Sequence, residues 1–252
     1  MAEVQRRPAF YAAGAGGWRD WWTLLHPPYT LWHLSYVAIG SVLAPRFDVL
    51  RLGAALLAFF LALGVAAHAL DELHGRPLRT RISDRALVAA AAVALAGAVA
   101  IGLVMLVRVN GSVWFVAGVL LLIAVGVLLV LGYNLELFGG RLHTDAGFAA
   151  AWGSFPIVTA YYAQAETIDL VAVLAGAAAF AVSWAQRALS TPARFVRRST
   201  DGLDVQVRLV DGRTRRFDEG FLLGPIEAAL RALTWGMVLL AATLVLARLW
   251  FG

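Results

Sequence analysis

The sequence predicts an all-α integral membrane protein, a bundle of about seven transmembrane helices with a small cytoplasmic β-hairpin between the sixth and seventh. Three observations predict it. The chain is 61% hydrophobic and 15% charged with a mean hydropathy of +0.74, too apolar for a domain dissolved in water. Its apolar residues fall into runs close to the roughly 20 residues that cross a bilayer. Its 21 basic residues, all arginine, lie mostly between those runs, where orientation signals belong.

Taken in order, residues 1–28 form an N-terminal cytoplasmic or interfacial segment. Residues 1–22 carry Arg6, Arg7 and Arg19 but no apolar core, so they are not a cleavable signal peptide. Trp18, Trp21 and Trp22 suit a stretch lying at the headgroups. The apolar runs follow at 29–44, 50–70, 86–107, 113–133, 146–163, 170–186 and 221–249. The first, fifth and sixth are short, so that either their boundaries lie several residues further out or the helices are tucked inside a bundle.

Arginine distribution orients the runs. One side collects the arginines of residues 6–19, 76–85, 141 and 187–216, and the other only Arg46, Arg51, Arg108 and Arg248. The positive-inside bias places the N-terminus in the cytoplasm and the C-terminus outside, in a cell membrane read as prokaryotic. The connection 191–220 differs from the rest. Val205, Val207 and Leu209 alternate with polar residues ahead of Asp211-Gly212, which predicts a hairpin, with Asp201-Gly202 as a second turn; a solvated basic loop is the alternative, since a lone two-stranded hairpin is marginal. The whole of 1–252 reads as a single membrane domain.

Composition excludes several functions. Without cysteine there are no disulfides, thiolate metal ligands or cysteine nucleophiles. The formal charge of +5 lies in topology-setting loops, so the expected anionic partners are membrane lipids and not nucleic acid. No GxSxG, HExxH, Walker or GxGxxG motif is present.

Two polar clusters could carry chemistry. At the end of the second run, His68, Asp71 and Glu72 share a helix face at i, i+3 and i+4, followed by His74 and Arg76. Ionisable groups at membrane depth face the bundle interior by default, and carboxylates suit Mg²⁺ that in turn holds phosphate. A solvated helix end capped by Gly75 and Pro77 accounts for the same residues. After the fourth run, Tyr133, Asn134, Glu136, Arg141, His143 and Asp145 lie on the same side. There Arg141 could clamp a phosphate and Glu136 or Asp145 add a metal ligand, or the segment is a plain charged turn. Trp32, His33, Tyr161 and Tyr162 could line a pocket, or serve as core and interface aromatics.

Three passages carry a resemblance. His26-Pro27-Pro28-Tyr29-Thr30-Leu31 runs on to a small-residue stretch at 40–44, Arg79-Thr80-Arg81 follows the acidic cluster, and Tyr133 opens a loop leading to a small-residue helix. In this order the first 190 or so residues resemble the UbiA superfamily of intramembrane prenyltransferases. In the register of that family's first Asp-rich motif His68 falls at the Asn, Ala69 at the first Asp, Glu72 at the second and Arg76 at the third, with Asp71 a displaced neighbour. Residues 183–194, where the second motif belongs, hold no acid.

The resemblance implies an isoprenoid diphosphate as ligand and prenyl transfer to a lipophilic acceptor as activity. It implies Asp71 and Glu72 as catalytic residues that hold Mg²⁺ with Glu136. The substrate-binding set it implies is His68, Arg76, Arg79, Arg81, Tyr133, Asn134 and Arg141. Two alternatives stand beside it. One is a non-catalytic lipid-binding or assembly subunit that meets a protein partner through 194–218. The other is a membrane enzyme with a transition metal on His68, Asp71, His74 and His143.

Overall fold

In a computed structural model, which describes residues 7–109 and 111–251, every apolar run lies in a helix. Arg6 and the start of the expected interfacial segment lie outside the described residues. A short helix α1 (Trp18–Leu24) precedes α2 (Pro27–Leu43), α3 (Val49–Leu73), α4 (Asp84–Val109), α5 (Val113–Asn134), α6 (residues 145–165), α7 (Leu170–Ser199) and α8 (Glu219–Phe251). Between α7 and α8 stands an antiparallel hairpin of β1 (Asp204–Arg208) and β2 (Thr214–Asp218), with Val205 opposite Phe217 and Val207 opposite Arg215.

Five helices, α3, α4, α5, α7 and α8, are long and apolar enough to cross a membrane. In the most apolar stretch of α4 only 11% of residues are buried, at a mean hydropathy of 2.6. A surface that apolar on every side has lipid as its solvent. The shorter α2 differs: Trp32, Tyr36 and Val37 are fully enclosed, and the helix packs between α6 and α8.

The loops sort into two ends. At one end Arg81 N–H donates to Asp20 of α1, Arg79 donates to the carbonyl of Arg198, and Arg187 pairs with Asp145. At the other, Gln164 exchanges two hydrogen bonds with the backbone of Asp48, Arg51 pairs with Glu166, and Arg248 donates to the carbonyls of Ala44 and Pro45. Helices α2 to α8 therefore each run between an arginine-rich end and an arginine-poor one.

Since lipid is as apolar as leucine, helix association rests on close packing and interhelical hydrogen bonds. Gly40 of α2 lies directly against the carbonyl of Ile157 in α6, and Gly153 of α6 against Ala179 and Ser183 of α7. Trp32 donates to Tyr36, whose hydroxyl accepts from Ser183, tying α2 to α7.

Two elements depart from the sequence expectation. Helix α7 does not stop near Gln186; it continues through Pro192 to Ser199, so the expected 191–220 loop begins as helix and only 200–218 lies outside. Proline removes one helical hydrogen bond. Ala193 and Val196 bury against Leu223 and Ile226 of α8 and keep the extension in place. Both α3 and α6 contain widened π turns, at Phe60–Ala67 and Ala149–Ser154, a feature frequent at functional sites.

Candidate functional site

At the arginine-rich end the helices enclose a polar cavity of about 240 Å³. Its walls come from five elements at helical spacing. His26, Tyr29 and His33 lie at i, i+3 and i+7 at the start of α2, and His68 and Asp71 at i, i+3 in α3. Tyr133 and Asn134 end α5, while Phe148 and Trp152 lie at i, i+4 in α6. From α7, Gln186, Ser190, Arg194 and Arg198 follow at intervals of four, one ridge of the helix, with Arg187 beside it.

The imidazoles are fixed. His26 stacks on His68 with centroids 4.2 Å apart. His33 Nδ1–H donates to the Trp152 carbonyl at 2.8 Å and His68 Nδ1–H to the Gly64 carbonyl at 3.1 Å, since a carbonyl only accepts. Both carbonyls belong to the widened turns, so the π geometry and the histidine placement are linked. His26 Nδ1 bonds Tyr11 Oη at 2.7 Å. Burial, and after it the proximity of His68, Arg198 and Arg194, holds His26 well below its ordinary value of 6.5. Burial likewise pushes the Tyr11 hydroxyl up.

Protonating His26 in the folded protein places a charge in that enclosure, whereas the unfolded chain accepts the proton near pH 6.5. The unfolded state therefore binds more protons below that value, and stability falls as pH drops from about 6.5 toward 5. Thermal unfolding in detergent across this range should show the loss, and His26→Gln should flatten part of the slope. An unchanged slope in the variant contradicts this account of His26.

Three buried polar atoms around the cavity, His26 Nε2, Tyr133 Oη and Gln186 Oε1, have no hydrogen-bond partner among the described residues. Buried polar groups are normally satisfied, so three around one cavity, from α2, α5 and α7, mark a place built to meet something polar.

The sequence-derived residues divide. His68, Asp71, Tyr133, Asn134 and His143 line the cavity, while His74 is exposed. Glu72 turns away: wholly buried, it accepts from Leu78 N–H at 2.9 Å, Thr80 N–H at 2.8 Å and Thr80 Oγ1 at 2.9 Å, and so holds the α3–α4 loop. Arg76 pairs with Asp84 and donates to the Ile82 carbonyl at 2.6 Å. Arg79, Arg81 and Arg141 are exposed, and Glu136 is exposed 3.9 Å from both His74 and His143. Of the aromatics, His33 lines the cavity and Trp32 is core, while Tyr161 and Tyr162 bond Asp169 and Trp114 at the other end.

Mg²⁺, which the resemblance implies, is not matched by this donor set. Only Asp71 of its three expected ligands faces the cavity, and the oxygens of Glu72 are already engaged. Among the described residues no three His, Asp or Glu side chains gather to hold a metal ion. Reasoning from sequence missed Arg187, Arg194, Arg198 and Gln186. The signal was present as intervals of four and seven, continuous with the sixth apolar run.

A second cavity, of about 160 Å³ and almost wholly apolar, lies between α3, α4, α5 and α6. It extends from Arg51 along the small residues Ala54, Ala55, Ala58 and Ala62 to Leu63, about 18 Å of helix rise. Leu63 and Trp152, one from each widened turn, line both cavities. In comparisons with family models, curated proteins and solved structures, nothing matches this chain.

Proposed function

We propose that the chain is a seven-span, UbiA-like membrane protein, N-terminus cytoplasmic and C-terminus outside, that binds an isoprenoid diphosphate and transfers the prenyl group to a lipophilic acceptor. One observation carries the reading. A polar cavity bearing Arg187, Arg194 and Arg198 adjoins an apolar cavity, with Leu63 and Trp152 in the walls of both, a pairing that suits a ligand with an anionic head and a long hydrocarbon tail. The arginine-rich end then faces the cytoplasm, consistent with the loop charges. His68, Asp71, Tyr133 and Asn134 surround the head, and Arg76, Arg79 and Arg81 belong to the loop that closes the α3–α4 side.

The exposed hairpin supports a second reading, a lipid-binding or assembly subunit without transferase activity. Val205, Val207 and Val210 are solvent-facing on an element flanked by arginines, a surface suited to a protein partner.

The test is thermal stability of the detergent-purified protein with geranylgeranyl diphosphate. A ligand at a hundred times its Kd stabilises the native state by about 2.7 kcal/mol, a shift of several degrees for a chain of this size. The reading expects that shift with geranylgeranyl diphosphate, a much smaller one with inorganic diphosphate, and its loss in Arg194→Gln. No shift at saturating ligand sinks the reading; a shift without transfer to any acceptor moves it to the subunit.

A further inference from the structure

We infer that the polar cavity grips its anion with arginine in place of a divalent metal, so that the protein binds a diphosphate head without Mg²⁺. The inference rests on the isoprenoid diphosphate reading and deepens it. Arg194 and Arg198 project from one ridge of α7 into the cavity, one helical turn apart, and neither forms an ion pair with a carboxylate among the described residues. Among the described residues the Arg194 side chain bonds a neighbouring threonine hydroxyl, at 3.3 Å, and the Arg198 side chain the Pro8 carbonyl, at 3.3 Å. Arg187 adds a third guanidinium, itself paired with Asp145 at 3.0 Å.

Against these cations the cavity sets one carboxylate, Asp71. Fixed positive charge with guanidinium forks attracts phosphate oxygens and repels a divalent cation. The unpartnered Tyr133 Oη and His26 Nε2 belong to residues that line the same cavity from α5 and from the start of α2. Of the expected metal ligands, Glu72 is engaged elsewhere, its oxygens holding Leu78 and Thr80. Arg187 and Arg194 thus lie in the stretch of α7, residues 183–194, where the resemblance places a second acidic motif.

The experiment is titration calorimetry on the full-length protein in detergent with geranylgeranyl diphosphate, in EDTA and again in excess Mg²⁺. Binding is expected in EDTA, and Mg²⁺ is expected to weaken it severalfold because the cation competes with guanidinium for the same oxygens. Arg194→Gln with Arg198→Gln should weaken binding at least tenfold, since the loss of one charge-assisted bond alone is worth that much. Arg194→Lys with Arg198→Lys, which keeps the charge without the fork, should fall between. Asp71→Asn should tighten binding, since it removes a negative charge facing the anion.

Binding that requires Mg²⁺ and is lost in Asp71→Asn overturns the inference and leaves the isoprenoid reading standing. That comparison needs only wild type in its first arm, so a poorly folded variant does not blunt it. Should the lipid fail to bind while inorganic diphosphate binds in EDTA and loses affinity in the Arg→Gln double variant, the anion site stands and the isoprenoid reading falls. If neither binds, both fall.

Discussion

Replacing Glu72 by alanine is expected to cost about 3 kcal/mol or more in stability, whereas Asp71→Ala, one residue earlier, costs less than about 1 kcal/mol. The two acids are neighbours in sequence with opposite surroundings. Glu72 has no solvent exposure, and its carboxylate receives two backbone N–H groups and the Thr80 hydroxyl. Truncation leaves three buried donors without acceptors, each costing on the order of 1–3 kcal/mol, although loop relaxation recovers part. Asp71 is partly exposed in the cavity, and among the described residues no donor holds its carboxylate in a comparable way. Thermal or SDS-driven unfolding of the purified variants measures the difference. Equal stabilities would show that Glu72 is not the organiser of the α3–α4 loop.

Gly40→Val is expected to be as damaging, by about 3 kcal/mol or more. A Cβ on Gly40 would lie 2.1 Å from the carbonyl oxygen of Ile157 and 2.9 Å from its carbon. Those are backbone atoms of α6, which cannot swing aside as a side-chain tip does. Helix α2 would have to move off α6, and dispersion contacts along the whole seam would open with it. The same argument applies to Gly153, where a Cβ would meet the Ser183 hydroxyl at 2.5 Å and the Ala179 carbonyl at 2.6 Å. Gly53, with open space around it, serves as the control: Gly53→Ala should be neutral or slightly stabilising. Wild-type stability in Gly40→Val would contradict the packing described.

Much of the fold is legible because lipid imposes a simple rule: backbone groups must be satisfied within the segment, so apolar runs become helices. Each run agrees with its helix to within a few residues except the sixth. The hairpin is legible too, because period-two alternation before Asp211-Gly212 admits few other structures, and Gly212 indeed adopts a φ of 85°. The C-terminal half of α7 is not. Arginines and Pro192 look like the end of a membrane helix, and only the contact of Ala193 and Val196 with α8 carries it onward.

That one extension decides the site. With α7 ended at Gln186, Arg194 and Arg198 are loop residues with no fixed neighbours. With α7 reaching Ser199 they stand over the cavity. The acidic cluster was legible as a place and not as a division of labour. Spacing puts Asp71 and Glu72 on neighbouring positions, and which of them meets the cavity depends on where Leu78 and Thr80 fold back. Arg79, Arg81, Glu136 and Arg141 lay close in sequence to the right helix ends, yet the loops that carry them turn outward.

On the proposed reading one ligand has its charged head among the α7 arginines and its hydrocarbon tail in the apolar cavity beyond Leu63 and Trp152. Photo-crosslinking tests it most directly, using a geranylgeranyl diphosphate analogue with a diazirine at the far end of the chain and peptide mapping of the adducts. The account predicts adducts on groove residues such as Ala58, Val99 and Ile123, suppressed by unlabelled geranylgeranyl diphosphate and lost in Arg194→Gln. Adducts confined to the lipid-facing surfaces of α4 and α8, unchanged by competitor or by the arginine substitution, would contradict it.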